Sequence, residues 1–241
     1  MTMSASYWNG WGVTEIGPSH TKNHIPNQDS FKVKKFKWGI VGVVCDGLGS
    51  KKYSHIGSKA LTNALIKASQ IFDFEKVEIE LFEPLVKSLW DINIYPYEEN
   101  DCSTTLLFVA IKYDKVYIGR VGDGAIGILG ENSKLIEEKK DTFVNYTTPF
   151  GRDESIHWEI YDEKNINSIV LCSDGIYEDI QKDKIIDFFN EYINTYKDSK
   201  SIKRTNEIKK WLKNWPVKGH SDDKTIASLV KMDKNEKNRS I

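Results

Sequence analysis

Two apolar runs in the chain end in the same dipeptide. Val41-Gly-Val-Val-Cys-Asp46-Gly47-Leu-Gly49 and Ser168-Ile-Val-Leu-Cys-Ser-Asp174-Gly175 each read as a buried strand that delivers a carboxylate at its end. Such a carboxylate is costly unless it meets a cation or hydrogen-bond donors. Gly47 has no Cβ, so its carbonyl can approach a ligand closely. One Asp-Gly after a strand is more readily a plain hairpin turn. Here the pattern recurs: Asp29, Asp123 and the pair Asp222-Asp223, in Gly219-His-Ser-Asp-Asp-Lys-Thr225, also sit at strand ends or tight turns. Clustered carboxylates raise one another's pKa unless divalent cations neutralise them. Carboxylates, a carbonyl and waters are ligands for Mg²⁺ or Mn²⁺. Histidine and cysteine ligands at metal spacing are not evident, which argues against zinc.

The elements that must position these residues follow from the hydrophobic periods. Trp8–Gly17, Asp29–Phe36 and 39–45 read as three strands of an antiparallel meander, with Pro18–Gln28 as an irregular polar loop. Apolar residues from Ile56 to Phe72 recur at helical spacing behind a possible Ser54 cap. A second helix is expected from Glu75 to Asn93, kinked at Pro84. Three strands follow at Thr104–Tyr113, Lys115–Val121 and Ala125–Leu129. Residues 130–154 are polar and irregular, long enough for a surface segment. Strands at Ser155–Tyr161 and Ile169–Cys172 precede helices at Glu178–Tyr196 and Ile202–Trp215, and Thr225–Met232 is a last strand. This is not βαβ alternation, so stacked antiparallel sheets with helix pairs outside fit better than a doubly wound sheet.

The chain has 241 residues, with 34 basic and 35 acidic side chains for a net charge of −1. One domain of this size buries roughly 70% of its unfolded surface and needs no staple to fold. The near-neutral balance argues against sequence-independent nucleic-acid binding. No apolar run approaches 18 residues, so no membrane span is expected. The N-terminal residues 1–6 have neither a basic region nor an apolar core, so no secretory signal is expected. Cys45, Cys102 and Cys172 lack metal-site spacing and read as free thiols in a reducing, cytoplasmic compartment.

The ordered set Asn27-Gln-Asp29, Asp46-Gly47-Leu-Gly49, Ser103-Thr-Thr105, Gly122-Asp123, Ser173-Asp174-Gly175 and Ser221-Asp-Asp-Lys-Thr225 resembles the type 2C metal-dependent protein phosphatases, the PPM family, in its bacterial form. The likeness runs from Gly12 to Val230. It implies an α+β fold, a four-layer α-β-β-α sandwich of two antiparallel sheets flanked by helix pairs. The phosphatase domain would span residues 1–232, with a charged tail at 233–241. It also implies two Mg²⁺ or Mn²⁺ ions, with room for a third. Asp46 would bridge the pair, the Gly47 carbonyl would bind one ion, and Asp174 and Asp222 would hold the other. Asp29 would act through water, and Asp123 would hold the third ion. Asp223 stands where many relatives have Asn and would lie behind the ligands, and the variable segment 130–154 would help select substrates, with Asn145, Tyr146 and Phe150 as candidates for protein-substrate contacts.

The sequence departs from the family in two places. Gln28-Asp29 replaces the common Glu-Asp, and His24, with Lys22 and His20 nearby, occupies the place of a phosphate-binding Arg. Catalysis is accordingly expected to rest on Asp46, Asp29 and His24. A metal-bound hydroxide would hydrolyse phosphoserine or phosphothreonine in a protein substrate, opposing a kinase, with the enzyme working as a monomer. His24, His20 or metal-bound water would protonate the leaving oxygen. No Ser-His-Asp or Cys-His signature competes with this reading. Two alternatives share the site: a catalytically weak module that binds a phosphorylated partner, and a hydrolase of small phosphometabolites.

Overall fold

A computed structural model describes residues 6–138, 148–151 and 155–233. Ten strands and six helices follow one another as β1 Ser6–Glu15, α1 Pro18–Asn23, β2 Asp29–Phe36, β3 Gly39–Asp46, α2 Ser54–Ile71, α3 Phe82–Ile94, β4 Leu106–Lys112, β5 Lys115–Val121, β6 Ala125–Gly130, β7 Lys134–Glu137, β8 His157–Asp162, β9 Ile166–Cys172, α4 Asp174–Tyr177, α5 Ile185–Tyr196, α6 Ser201–Lys213 and β10 Lys224–Asp233. They form two five-stranded sheets, ordered β1-β10-β9-β6-β7 and β2-β3-β4-β5-β8. Every ladder is antiparallel. This is the expected α-β-β-α sandwich.

Alternation along the central strands explains the layers. In β3, Ile40 and Val44 face the second sheet and join Leu107, Val109, Ile169 and Leu229 in the middle core. Val41, Val43 and Cys45 point the other way and pack beneath Leu61, Leu65, Phe82 and Trp90. A strand buried on both faces has no room for polar residues, so β3 reads as an unbroken apolar run. The opposite sheet does the same, with Val13, Val170, Cys172 and Ile226 under Phe189, Ile208 and Leu212 of α5 and α6. Fully burying one such side chain is worth roughly 1.5–3 kcal/mol, so the two helix pairs fix the outer layers firmly. Among the described residues, no helix is long and apolar enough to cross a membrane. All three cysteines are buried and free.

Several local expectations change. β1 is not part of a meander with β2: it pairs with β10, placing Trp8 opposite Lys231 and Thr14 opposite Thr225 in the other sheet. The segment expected as a loop contains α1, which opens on Pro18 and closes at His24 in the left-handed region, φ 55°. It buries no residue, so no apolar period announced it. The second helix is shorter, a 3₁₀ turn at Ile79–Leu81 followed by α3. Pro84 is the third residue of α3 and causes no break, because a first-turn N–H has no intrahelical partner to lose. The helix expected from Glu178 begins at Ile185. Residues 130–154 contribute the edge strand β7. Asn145 and Tyr146 lie outside the described residues. Phe150 is not a surface contact: it is 2% exposed and meets Trp90 edge-on at 5.6 Å.

Candidate active site

The strand ends carrying the aspartates meet at one end of the sandwich. β3 finishes on Asp46 and β2 begins on Asp29, and these two residues are opposite one another in the ladder. β9 runs into Ser173 and Asp174, where α4 starts. Asp222 and Asp223 precede β10. Asp123 sits in the tight turn between β5 and β6, flanked by Gly122 at φ 80° and Gly124 at φ 90°. Only glycine adopts such angles without strain, which is why the turn can be this short.

Asp46, Gly47, Asp123, Asp174 and Asp222 line one cavity of about 180 Å³, together with His20, Gln28, Leu48, Gly49 and Thr105. Asp29 lies immediately behind. Its Oδ2 accepts a hydrogen bond from Ser173 Oγ at 2.7 Å, and its Oδ1 is buried with no partner. Asp174 Oδ1 is likewise buried and unpartnered.

The backbone around Asp46 is held by the Ser103-Thr-Thr105 segment. Asp46 N donates to Thr105 Oγ1 at 3.0 Å, while Thr104 Oγ1 and Thr105 N donate to its carbonyl at 2.8 and 2.7 Å. That segment is pressed against α2, where a Cβ on Gly57 would stand 1.8 Å from the Cys102 carbonyl oxygen. Gly47 is required for packing too, since a Cβ there would lie 2.7 Å from the Ser54 carbonyl.

The electrostatics are those of too many carboxyls in too little water. Burial drives the Asp46 carboxyl well above the usual range, and Asp29 and Asp174 add to it. Asp29 is pushed up to about 7 by burial, against the lowering effect of Ser173 and Thr225. Asp174 rises to about 6 through burial and then the charge of Asp123. One cation is near: Lys224, 2% exposed, whose Nζ donates to the Asp222 carbonyl at 3.1 Å. Hard oxygen donors converging on one cavity, two with orphaned buried atoms, match the ligand set of Mg²⁺ or Mn²⁺.

Three neighbours revise the expected roles. His24 is exposed and does not line the cavity, whereas His20 does. Counting residues back from Asn27 along an extended loop points to His24, but α1 coils that stretch and puts His20 in the wall instead. Asp223, 2% exposed, accepts from Gly17 N at 2.7 Å and Gln28 N at 2.6 Å, and lies 2.9 Å from His20 Nδ1. It therefore ties α1 and the start of β2 to the start of β10. Gln28 Nε2 donates to Ser54 Oγ at 2.7 Å, a bond that a carboxylate in its place could not donate. Nothing in the sequence marked Lys224 as a buried cation; its place beside two aspartates was the available hint.

Fold and site together define an α-β-β-α sandwich with an acidic, cation-accepting pocket at one end. The model of the protein phosphatase 2C family matches residues 16–215. A Mycoplasma genitalium protein, provisionally named a protein phosphatase, is 23% identical over 267 residues, spanning 92% of this chain and 95% of its own. The crystal structure of a bacterial serine phosphatase superposes with a TM-score of 0.69 at 16% identity, over 93% of this chain and 98% of that one. The catalytic domain of the serine/threonine phosphatase PstP, solved with two manganese ions, gives 0.61 at 15% identity over 95% and 100%. The chain belongs to the protein phosphatase 2C family.

Proposed function

We propose that the chain hydrolyses phosphorylated serine and threonine side chains of proteins at a binuclear Mg²⁺ or Mn²⁺ site. The observation that carries this reading is the convergence of Asp46, Asp123, Asp174 and Asp222 on one cavity, with the unpartnered Oδ1 of Asp29 behind it. Asp46 and the Gly47 carbonyl would hold one ion, and Asp46, Asp174 and Asp222 the other. Asp29 would act through water, and Asp123 would hold a third. A pair of such ions supplies an activated water at neutral pH and neutralises phosphoryl charge.

The chain's own residues do the rest. Ser173 is no nucleophile: it is 1% exposed, its Oγ donates to Asp29 and accepts from Thr225 N at 3.1 Å. His20 has Nδ1 against Asp223, which leaves Nε2 for the cavity. The imidazole stands where it would meet a phosphoryl oxygen of the substrate. His20 thus takes the anchoring place that spacing alone assigns to His24. The leaving oxygen must take up a proton, which His20 or water would supply.

The test is hydrolysis of p-nitrophenyl phosphate and of a phosphothreonine peptide with Mn²⁺, with and without chelator. Activity is expected only with the metal and only with Asp46 intact. Metal-independent turnover, or equal turnover by the Asp46→Asn variant, overturns the reading. Anomalous scattering from Mn²⁺-soaked crystals then counts the ions and names their ligands.

A further inference from the structure

A second cavity, of about 450 Å³, opens beside the first and shares Asp222 with it. Its floor is apolar, formed by Ile16, Pro18 and Leu212, and its rim carries Lys22 and Lys213. The two lysines come from different elements, α1 and α6, and both are exposed. Neither has an ion-pair partner among the described residues. The other charged residues in the wall are Glu15, Asp222 and Lys224, so with the two lysines the lining carries a net charge of +1. His220 Nδ1, also in the wall, is buried with no hydrogen-bond partner. A trough with apolar residues in its lining, two lysines without ion-pair partners and an unused polar nitrogen, continuous with the carboxylate-lined cavity, is shaped for more than a phosphate group.

We infer that this groove receives the substrate residues next to the phosphorylated side chain and selects segments in which they are acidic. The inference rests on the phosphoprotein phosphatase reading and adds a substrate class to it. An extended peptide advances about 3.3 Å per residue, so a segment whose phosphorylated side chain enters the Asp46 cavity lays its near neighbours over Asp222 and into the groove. Glutamate or aspartate there pairs with Lys22 and Lys213 while its methylenes cover Pro18 and Leu212. Lysine or arginine there meets like charge. Charge complementarity, more than apolar fit, therefore sets the preference.

The experiment compares kcat/KM for two synthetic phosphothreonine peptides with Mn²⁺, one flanked on both sides by glutamates and one by alanines. The wild type is expected to prefer the acidic peptide. In the double variant Lys22→Glu/Lys213→Glu the acidic-to-neutral ratio should fall about fivefold, the product of two exposed ion pairs. Lys67→Glu, the same charge change on α2 behind the other sheet, should leave the ratio unchanged. No acidic preference in the wild type, an unchanged ratio in the double variant, or an equal fall with Lys67→Glu overturns the inference while leaving the phosphatase reading intact. p-Nitrophenyl phosphate, which has no flanking residues, reports on the phosphatase reading alone. If it is not hydrolysed, that reading falls, and fluorescence anisotropy of the same labelled peptides decides the groove by the same ratio in Kd.

Discussion

Asp29 and Asp46 face each other across the β2–β3 ladder, two carboxyls on directly opposed residues. Like charges in that position oppose pairing, and here Asp29 is buried and Asp46 half-buried besides. Burial raises both carboxyls above their usual range, so protons or cations would relieve the opposition.

The first prediction concerns that opposition. Asp46→Asn removes one of the facing charges and keeps the shape. Phosphatase activity is expected to fall at least about a hundredfold, because a bridging ligand is lost. The metal-free protein should nevertheless melt about 2–4 °C higher, equivalent to ~1 kcal/mol at this chain length. Steady-state kinetics with Mn²⁺ and differential scanning calorimetry in chelator check the two halves. A lower melting temperature would mean that Asp46 is structurally supported, not strained.

Stability without metal should depend on pH in an unusual direction. Asp29 rises to about 7 and Asp174 to about 6, against an unfolded value near 3.9. Folded pKa values above unfolded ones mean that the fold holds protons the unfolded chain releases. The associated stability is full below about pH 4 and drains away as pH climbs through 6 and 7. Asp73 and Asp162, held low by Lys112 and Lys115, act below that window. Melting temperature in chelator should therefore drop between pH 5.5 and 8. Added Mn²⁺ should restore more at pH 8 than at pH 5.5, since it binds ionised carboxylates. A flat profile would contradict the cluster.

Asp223→Ala should damage the fold before it damages metal binding. The change leaves Gly17 N and Gln28 N without their acceptor and frees His20. Leaving buried donors unpaired costs roughly 1–3 kcal/mol each, so a loss of about 2–4 kcal/mol is expected in urea denaturation. KM should rise further than kcat falls, as His20 loses the partner that holds its Nδ1. Loss of Mn²⁺ affinity as severe as in Asp222→Ala would make Asp223 a ligand instead.

Gly175→Ala places a Cβ 2.0 Å from the Asp223 carbonyl oxygen and 3.4 Å from Asp222 Cβ. The segment before β10 must then move away from α4. Weaker Mn²⁺ binding by isothermal titration is expected, with the far helix pair α2–α3 unaffected in hydrogen exchange.

The architecture was legible where burial imposes a period. β3, β4 and β9 read as strands because both faces are covered, and α2 read as a helix because one face is. The aspartates were legible because each ends a strand, and the ends of antiparallel strands gather at one edge of a sandwich. What escaped has little buried area to leave a pattern. α1 buries nothing, and its left-handed terminus is His24, where glycine or asparagine would have signalled a stop. Displacing the wall histidine from position 24 to 20 followed from missing that one turn. The partnering of β1 with β10 was invisible because alternation shows which face of a strand is buried and not which strand lies beside it.

The first and last strands of the sandwich are hydrogen-bond neighbours, and the segment before the last one supplies Asp222 and the clamp of Asp223 on Gly17. A growing polypeptide therefore carries no working centre until β10 has been made and has docked beside β1. Loss of the final ten residues of the sheet would silence the enzyme outright, not by degrees. The centre is in effect licensed by the docking of β10.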